Sequence, residues 1–356
     1  MWSSKPQRTN TPDHEQRHGV AQANVSGPIL TQFSTYTSAM AGESPVPPTV
    51  LIVGWGFIGA AIGQRLLAAG ARVTGLSRSR TSRTEAGERA GARIVIGDVC
   101  QPEFLEAAVH DVDHVLFSAG GLTPPATAAQ PAEAAMQMLL PLLAVLETTR
   151  RRPSVALTYI SSGGTVYGNP RHLPVSENEP TEPISPYGAL HLACEKYAQM
   201  YSRRFGSRLQ ILRIANVYGP HQARHKDQGA VAIFLDRITN GQTIDVYGDG
   251  SALRDYVFIE DVAAAASRLI VDRSDVGVVN LGSERGLTVL EIVEAVEAIV
   301  GRRAIVSFEP ARGFDVHAVV LDVSKLQSFI PYTPTEFALG LRATYEASQV
   351  AGARIA

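Results

Sequence analysis

Apolar residues along the chain fall into short runs separated by stretches of helical periodicity, and this alternation begins at Thr49. TVLIV (49–53) is a β-branched run of strand length. FIGAAIGQRLLAAG follows with apolar residues at helical spacing and stops at Gly70, a residue suited to a left-handed cap. ARVTGL (71–76), ARIVIGD (92–98), DHVLFSAGG (113–121), SVALTYISSGG (154–164) and LQILRIANVYG (209–219) read as further strands. Helical stretches separate them, the longest at 131–150 and 186–205. This order predicts an α/β fold, a Rossmann-type doubly wound parallel sheet covered on both faces. Such a sheet binds its ligand at the carboxyl ends of the strands.

After Gly219 the rhythm changes. HQARHKDQG (221–229) is polar and reads as a mobile loop. TIDVYGDGSALRDYVF contains a turn at Gly248-Asp249-Gly250. Short strands are expected at 277–283 and 304–310, and helices at 288–300 and 335–348. The expected division is a disordered extension over 1–47, a dinucleotide-binding domain over 48–215 and a tail over 349–356. Between them, 216–348 forms mainly a smaller mixed C-terminal substrate lobe, with parts of 242–272 returning to the first domain. The extension is rich in Ser, Thr, Gln, Pro and His and lacks apolar periodicity. It has no basic start followed by an apolar stretch, so it does not read as a secretory signal. Met40, close before the first strand, is an alternative initiator. HEQRH (14–18) matches a zinc-protease pattern, but its flanks supply no apolar stripe, and it is read as a chance match.

Composition narrows the classes. With 356 residues and 45% hydrophobic content, the chain can bury one large or two modest cores. A net charge of -2 gives no electrostatic footprint for nucleic acid. Cys100 and Cys194 make neither a CxxC nor a zinc spacing, so no metal site is expected and a reduced, cytoplasmic setting is. No apolar run reaches membrane-spanning length.

IVGWGFIGAAIG places Gly54, Gly56 and Gly59 directly after a strand and at the start of a helix. In that context the spacing marks a dinucleotide site. Gly54 permits the tight turn, Gly56 lets backbone approach a pyrophosphate, and Gly59 lets helix and sheet pack closely. The helix start, at Phe57 and Ile58, offers unpaired N–H groups to the phosphates. At the end of the second strand the chain has Leu76-Ser77-Arg78, with Arg80 and Arg83 behind. A ribose-binding carboxylate is missing there and arginine pairs with phosphate, so NADP(H) is favoured over NAD(H). Asp98, followed by Val99, is a candidate for the adenine end or a helix cap before Pro102.

GWGFIG, GD at 97–98, FSAGG, ISSGGTVYG, SPYG, RIANVYGP and YGDGSALRDYVFIEDVA occur in this order. From about Thr49 onward the chain resembles the extended short-chain dehydrogenase/reductases, the NAD-dependent epimerase/dehydratase family, and within it nucleotide-sugar 4-epimerases and 4-ketoreductases. The resemblance implies a nucleotide-sugar substrate, a homodimer through the 131–150 and 186–205 helices, and Ala119 and Gly120 at the cofactor. It implies Tyr187 as the proton-transfer residue and Asn216, Arg254 and Tyr256 at the substrate. Three departures from the family pattern stand out. Val53 replaces the usual first glycine. Gly163 falls where a serine or threonine partners the tyrosine, leaving Ser162 or Thr165 to supply the hydroxyl. His191 replaces the lysine four residues after Tyr187. Gly164 and Thr165 occupy the places of a dehydratase's acidic pair, which disfavours dehydration.

In SPYGALHLACEKY, Ser185 caps a helix and Tyr187 and His191 share a face. Lys196, nine residues on, lies on the opposite face at about 100° per residue. Glu195 is placed to pair with His191 and favour the imidazolium. An unassisted tyrosine, with a pKa of about 10, is ionised in about one molecule in a thousand at pH 7, a cost of roughly 4 kcal/mol when it must act as a base. Ketone reduction needs neutral tyrosine instead. The expectation is therefore hydride transfer at ring carbon C4, with a 4-ketoreductase narrowly favoured. A 4-epimerase with tightly held NAD is the alternative, and a non-catalytic NADP(H) sensor the second.

Overall fold

The computed structural model describes residues 47–120, 123–223 and 229–353. The expectations for the extension through residue 46, for HEQRH and for residues 224–228 of the polar loop lie outside the described residues. The first half alternates β1 (Thr49–Val53), α1 (Phe57–Ala68), β2 (Arg72–Ser77), α2 (Ser82–Arg89), β3 (Arg93–Ile96), α3 (Pro102–Val109) and β4 (His114–Phe117). Helices α4 (Pro124–Ala129) and α5 (Pro131–Thr149) lead to β5 (Ala156–Ser162), α6 (Pro186–Phe205) and β6 (Leu209–Ile214). Then come β7 (Asn216–Tyr218), α7 (Ala230–Asn240), β8 (Thr243–Tyr247), β9 (Leu253–Phe258), α8 (Ile259–Val271) and β10 (Gly277–Leu281). The chain ends with β11 (Gly286–Thr288), α9 (Val289–Val300), β12 (Ile305–Glu309), β13 (Ala318–Val319), α10 (Ser324–Phe329) and α11 (Phe337–Ala353).

Seven parallel strands form the main sheet in the order β10-β6-β5-β4-β1-β2-β3. β1 is buried along almost its whole length, because helices cover both faces of the sheet. The strand order reverses between β1 and β4, which opens a crevice at their carboxyl ends. A smaller sheet carries β11, β9 and β13, with β7 on β9, and β8 pairs with β12. The core of this lobe joins Phe234, Ile238, Val293 and Phe337.

LQILRIANVYG, read as one strand, is two strands in different sheets. β6 stays in the main sheet, whereas β7 leaves it after Ala215, whose N–H reaches the Leu281 carbonyl. A continuous apolar run carries no mark of where pairing partners change. The main sheet in turn recruits β10 from the second half, and α8 packs on α1, with Arg65 and Glu260 paired at 2.9 Å.

Trp55, inside the glycine motif, fills the space between α1, β2 and α2. A Cβ at Gly75 would lie 2.2 Å from its ring, and one at Gly63 2.5 Å. Its Nε1 donates to the Arg83 carbonyl. At the other end of the sheet, His114 Nε2 lies 2.7 Å from Thr158 Oγ1, which itself donates to Gln210 Oε1. The Thr158 oxygen therefore accepts from His114, and the ring is the Nε2–H tautomer. Burial, with Arg208 and Arg273 nearby, pushes the pKa of His114 down to about 3. Its folded pKa lies below the unfolded value of about 6.5. The stability tied to neutral His114 is thus complete above that value and is lost as pH falls toward 3. His114→Gln, which cannot ionise, should melt lower than wild type at pH 7 yet lose less of its melting temperature by pH 4, measured by scanning calorimetry.

Candidate active site

The turn from β1 to α1 lies at the switch point of the sheet. Gly54 has φ +98°, and a Cβ there would stand 2.6 Å from the Ala119 backbone nitrogen. A Cβ on Gly59 would stand 2.2 Å from the Gly54 carbonyl oxygen and 2.5 Å from Ser118 Oγ. Ser118 Oγ in turn donates to the Gly54 carbonyl at 2.8 Å and ties the loops after β1 and β4 together. Gly56 differs, since a Cβ there would meet nothing within 4 Å. It is also the N-cap of α1, with no side-chain cap and no acidic residue in the first turn. An open backbone surface at an uncapped, electropositive helix start fits a pyrophosphate. The side chains of Phe57 and Ile58 pack into the lobe core, so only their backbone faces this surface. Gly120 has φ +141° and sits against Met138.

The groups after β2 and β3 are partly committed elsewhere. Arg80 pairs with Glu88 at 2.8 Å. Arg83 Nη2 donates to the His221 carbonyl. Ser77 Oγ donates to the Ser79 carbonyl, and Arg78 is exposed. Asp98 accepts from the Cys100 N–H as a local turn, and Val99 packs on the core.

The catalytic candidates form two pairs, one in the turn after β5 and one on the first turns of α6. Ser185 Oγ accepts from the Gly188 N–H and caps α6, with Pro186 in its first turn. This fixes Tyr187 half-buried at the helix start. Its ring lies edge-on to that of His191, with centroids 4.6 Å apart. Thr165 Oγ1 donates to Ser162 Oγ at 2.8 Å, so the two candidate hydroxyls form one pair. A Cβ on Gly163 would lie 2.6 Å from Leu321 and 2.9 Å from the Arg213 carbonyl, which leaves no room there for serine in this packing.

The expected pairing of Glu195 with His191 does not form. Glu195 is fully buried and is taken by Arg213, at 2.7 Å, and by the Ser161 hydroxyl. His191 is buried as well, and desolvation pushes its pKa down to about 3, so the ring is neutral. Its Nδ1 meets the Tyr159 hydroxyl at 2.8 Å, while Nε2 has no partner among the described residues. That orphaned buried nitrogen fits a ligand hydroxyl. Tyr159 gave no sign in the sequence, because an aromatic in a buried strand reads as core.

On the lobe side, Asn216 Nδ2 donates to the Asp255 carbonyl, and its amide oxygen would be 3.6 Å from a Cβ on Gly164. Asn216 thus spans from the hydroxyl turn to β9. Arg254 and Tyr256 share one face of β9. Arg254 Nη1 donates to the Leu253 and His317 carbonyls, and burial lowers its pKa, with Arg312 adding repulsion. Arg312, missed in the sequence because it sits in a loop after β12, lies 4.0 Å over the Tyr247 ring. Tyr256 lines a cavity of about 230 Å³ with Ser283, Arg285 and Phe337.

A doubly wound sheet with a glycine cradle at its switch point and a tyrosine on the helix after β5 defines a dinucleotide-dependent enzyme. The model of the NAD dependent epimerase/dehydratase family matches residues 50–282, and the chain belongs to this family. A relative from Methanocaldococcus jannaschii is 34% identical over 184 residues, 52% of this chain and 60% of its own length. The UDP-glucose 4-epimerase of Mycolicibacterium smegmatis is 31% identical over 297 residues, 82% of this chain and 95% of that protein. The structure of the Thermus thermophilus UDP-glucose 4-epimerase in complex with NAD is similar, with a TM-score of 0.79 and 32% identity. That likeness covers 85% of this chain and 99% of the other. The cofactor in that structure, and in further similar ones, is NAD. This corrects the expectation of NADP(H). Of the arginines behind it, Arg80 is held by Glu88 and Arg83 by the His221 carbonyl, while Arg78 is exposed.

Two outcomes follow from this geometry. Gly59→Ala places its methyl against a backbone carbonyl that cannot move aside, and NAD affinity should fall at least about tenfold by titration calorimetry. Glu195→Gln leaves Arg213 buried without its counter-charge, and urea unfolding should show a loss of about 3–5 kcal/mol.

Proposed function

We propose that the protein is an NAD-dependent nucleotide-sugar 4-epimerase acting on a UDP-hexose of the UDP-glucose type. The observation that carries this reading is that the turn holding the Ser162–Thr165 hydroxyl pair lies against Asn216 on one side and against Gly188, next to Tyr187, on the other. Similar proteins aligned over four fifths of this chain bear the name UDP-glucose 4-epimerase, and this weighs for epimerisation over ketone reduction.

In this reading Gly54, Gly56 and Gly59 hold the pyrophosphate of NAD at the start of α1, and His191 holds its nicotinamide ribose. When bound, NAD supplies the acceptor and donor of hydride. Tyr187 takes the proton from the C4 hydroxyl and returns it once the sugar has turned its other face. Thr165 and Ser162 hydrogen-bond the same oxygen. Arg254 supplies positive charge to the diphosphate, with Arg312, paired to Asp315 at 2.8 Å, beside it. One tyrosine serving both faces of C4 requires a roomy sugar site and a firmly held nucleotide. The homodimer implied by the family resemblance has its candidate face on α5 and α6, where Met136, Leu140, Tyr197 and Met200 are exposed.

The test is incubation of the purified chain with UDP-glucose and catalytic NAD, with UDP-galactose followed by anion-exchange chromatography. Turnover is expected with no net change in NADH absorbance, and Tyr187→Phe should lower kcat by about 10³-fold. NAD binding without turnover of any sugar nucleotide would leave a non-catalytic binding protein and sink the epimerase reading.

A further inference from the structure

The imidazole that replaces the family lysine has a buried partner on the strand beneath it. Tyr159, on β5, is 1% exposed, and its hydroxyl lies 2.8 Å from His191 Nδ1. Cys194, on α6, is buried as well. His191 Nε2 is buried with no partner among the described residues, and the ring stands edge-on to Tyr187.

Two proton arrangements are open to this pair. In one, the Tyr159 hydroxyl donates to Nδ1, and Nε2 carries the hydrogen. In the other, Nδ1–H donates to the Tyr159 oxygen, whose own hydrogen then has no nitrogen or oxygen acceptor among the described residues, and Nε2 presents a lone pair. The first places a phenolic O–H on an imidazole nitrogen, a strong acceptor. The second leaves a buried hydroxyl without such an acceptor, which is costly. The nitrogen that remains takes its state from the bond its partner nitrogen makes. We propose that Tyr159 is a positioning residue that holds His191 as the Nε2–H tautomer, a neutral donor to the nicotinamide ribose hydroxyls of bound NAD. This rests on the NAD-dependent reading above.

The titratable and charged groups around His191 are Tyr159 on β5, Tyr187, Cys194 and Glu195 on α6, and Arg213 on β6 behind Glu195. Glu195 is held by Arg213, so no carboxylate draws a proton onto the ring. Tyr187 therefore has an N–H dipole beside it where a lysine would place a full charge. His191→Lys should move the rise of kcat with pH down by about one unit.

The experiment is a long-range ¹H–¹⁵N correlation spectrum of the imidazoles in the full chain at pH 7, with His191 assigned by the signal lost in His191→Asn. The expected pattern is a protonated Nε2 and a bare Nδ1. Tyr159→Phe should turn it into a tautomer mixture and weaken NAD binding about tenfold. A wild-type ring found as Nδ1–H, or doubly protonated, overturns the proposal even if Tyr159→Phe does not fold. An unchanged tautomer in a folded Tyr159→Phe does the same. NAD added to wild type should shift the Nε2 signal. Binding without that shift overturns the donor role and leaves the epimerase reading to its own turnover assay.

Discussion

The site depends on one buried ion pair. Arg213 on β6 and Glu195 on α6 meet with side chains 4% and 0% exposed. Removing both charges from water costs several kcal/mol per ion, and only multiple well-made hydrogen bonds offset it. They are present: Arg213 Nε and Nη2 both reach the carboxylate, the Ser161 hydroxyl donates to it, and Arg213 Nη1 donates to the Tyr167 hydroxyl at 3.0 Å. Tyr167 passes its own hydrogen to Asn280 on β10, and Asn280 donates to the Val175 carbonyl. The network thereby sets the depth and rotation of α6 against β5 and β6. Tyr187 and His191 sit about two turns and one turn before Glu195 on that helix, so their positions follow from it. Through Tyr167 it also anchors the turn that carries Ser162 and Thr165.

The two parts of the chain are interlocked by the same economy of contact. Ala215 ends β6 and starts the step to β7, and Asn216 follows at the border between the two sheets. Asp255, on the opposite face of β9 from Arg254, is buried and accepts from Ser283 and from the Leu321 N–H. Leu321 is the residue that closes over Gly163. A single run of packing therefore joins the lobe strand carrying the substrate-side candidates to the turn carrying the hydroxyl candidates.

Much of this was legible because the signals are local. TVLIV spans β1, Pro186–Phe205 is α6 to both its bounds, and Ser185 is its cap. The glycine spacing located the switch-point turn, since only that chain conformation requires Gly54. What was not legible is pairwise. Glu195 could have met His191 by helical spacing, yet Arg213 arrives from another strand and binds it more strongly. Arg80 and Arg83 read as phosphate ligands until Glu88 and the His221 carbonyl are seen beside them. The partner of His191 is a tyrosine 32 residues upstream, and no periodicity links the two.

The two departures at the catalytic end belong together. At position 163 a side chain is excluded by Leu321 and by the Arg213 carbonyl, and at position 191 a neutral ring stands on Tyr159. A lysine ammonium in that place would be a buried charge with Glu195 already committed to Arg213, offset only when Tyr187 ionises beside it. Imidazole removes that penalty, because it donates one hydrogen bond while uncharged. Under the proposed reading the cost shifts to Tyr187, which would ionise beside a dipole and not beside a charge. In an epimerase this burdens the oxidising half-reaction and favours the reducing one. At the floor of the site a neutral ring, bonded at Nδ1 by Tyr159, thus stands where the family pattern places a charge.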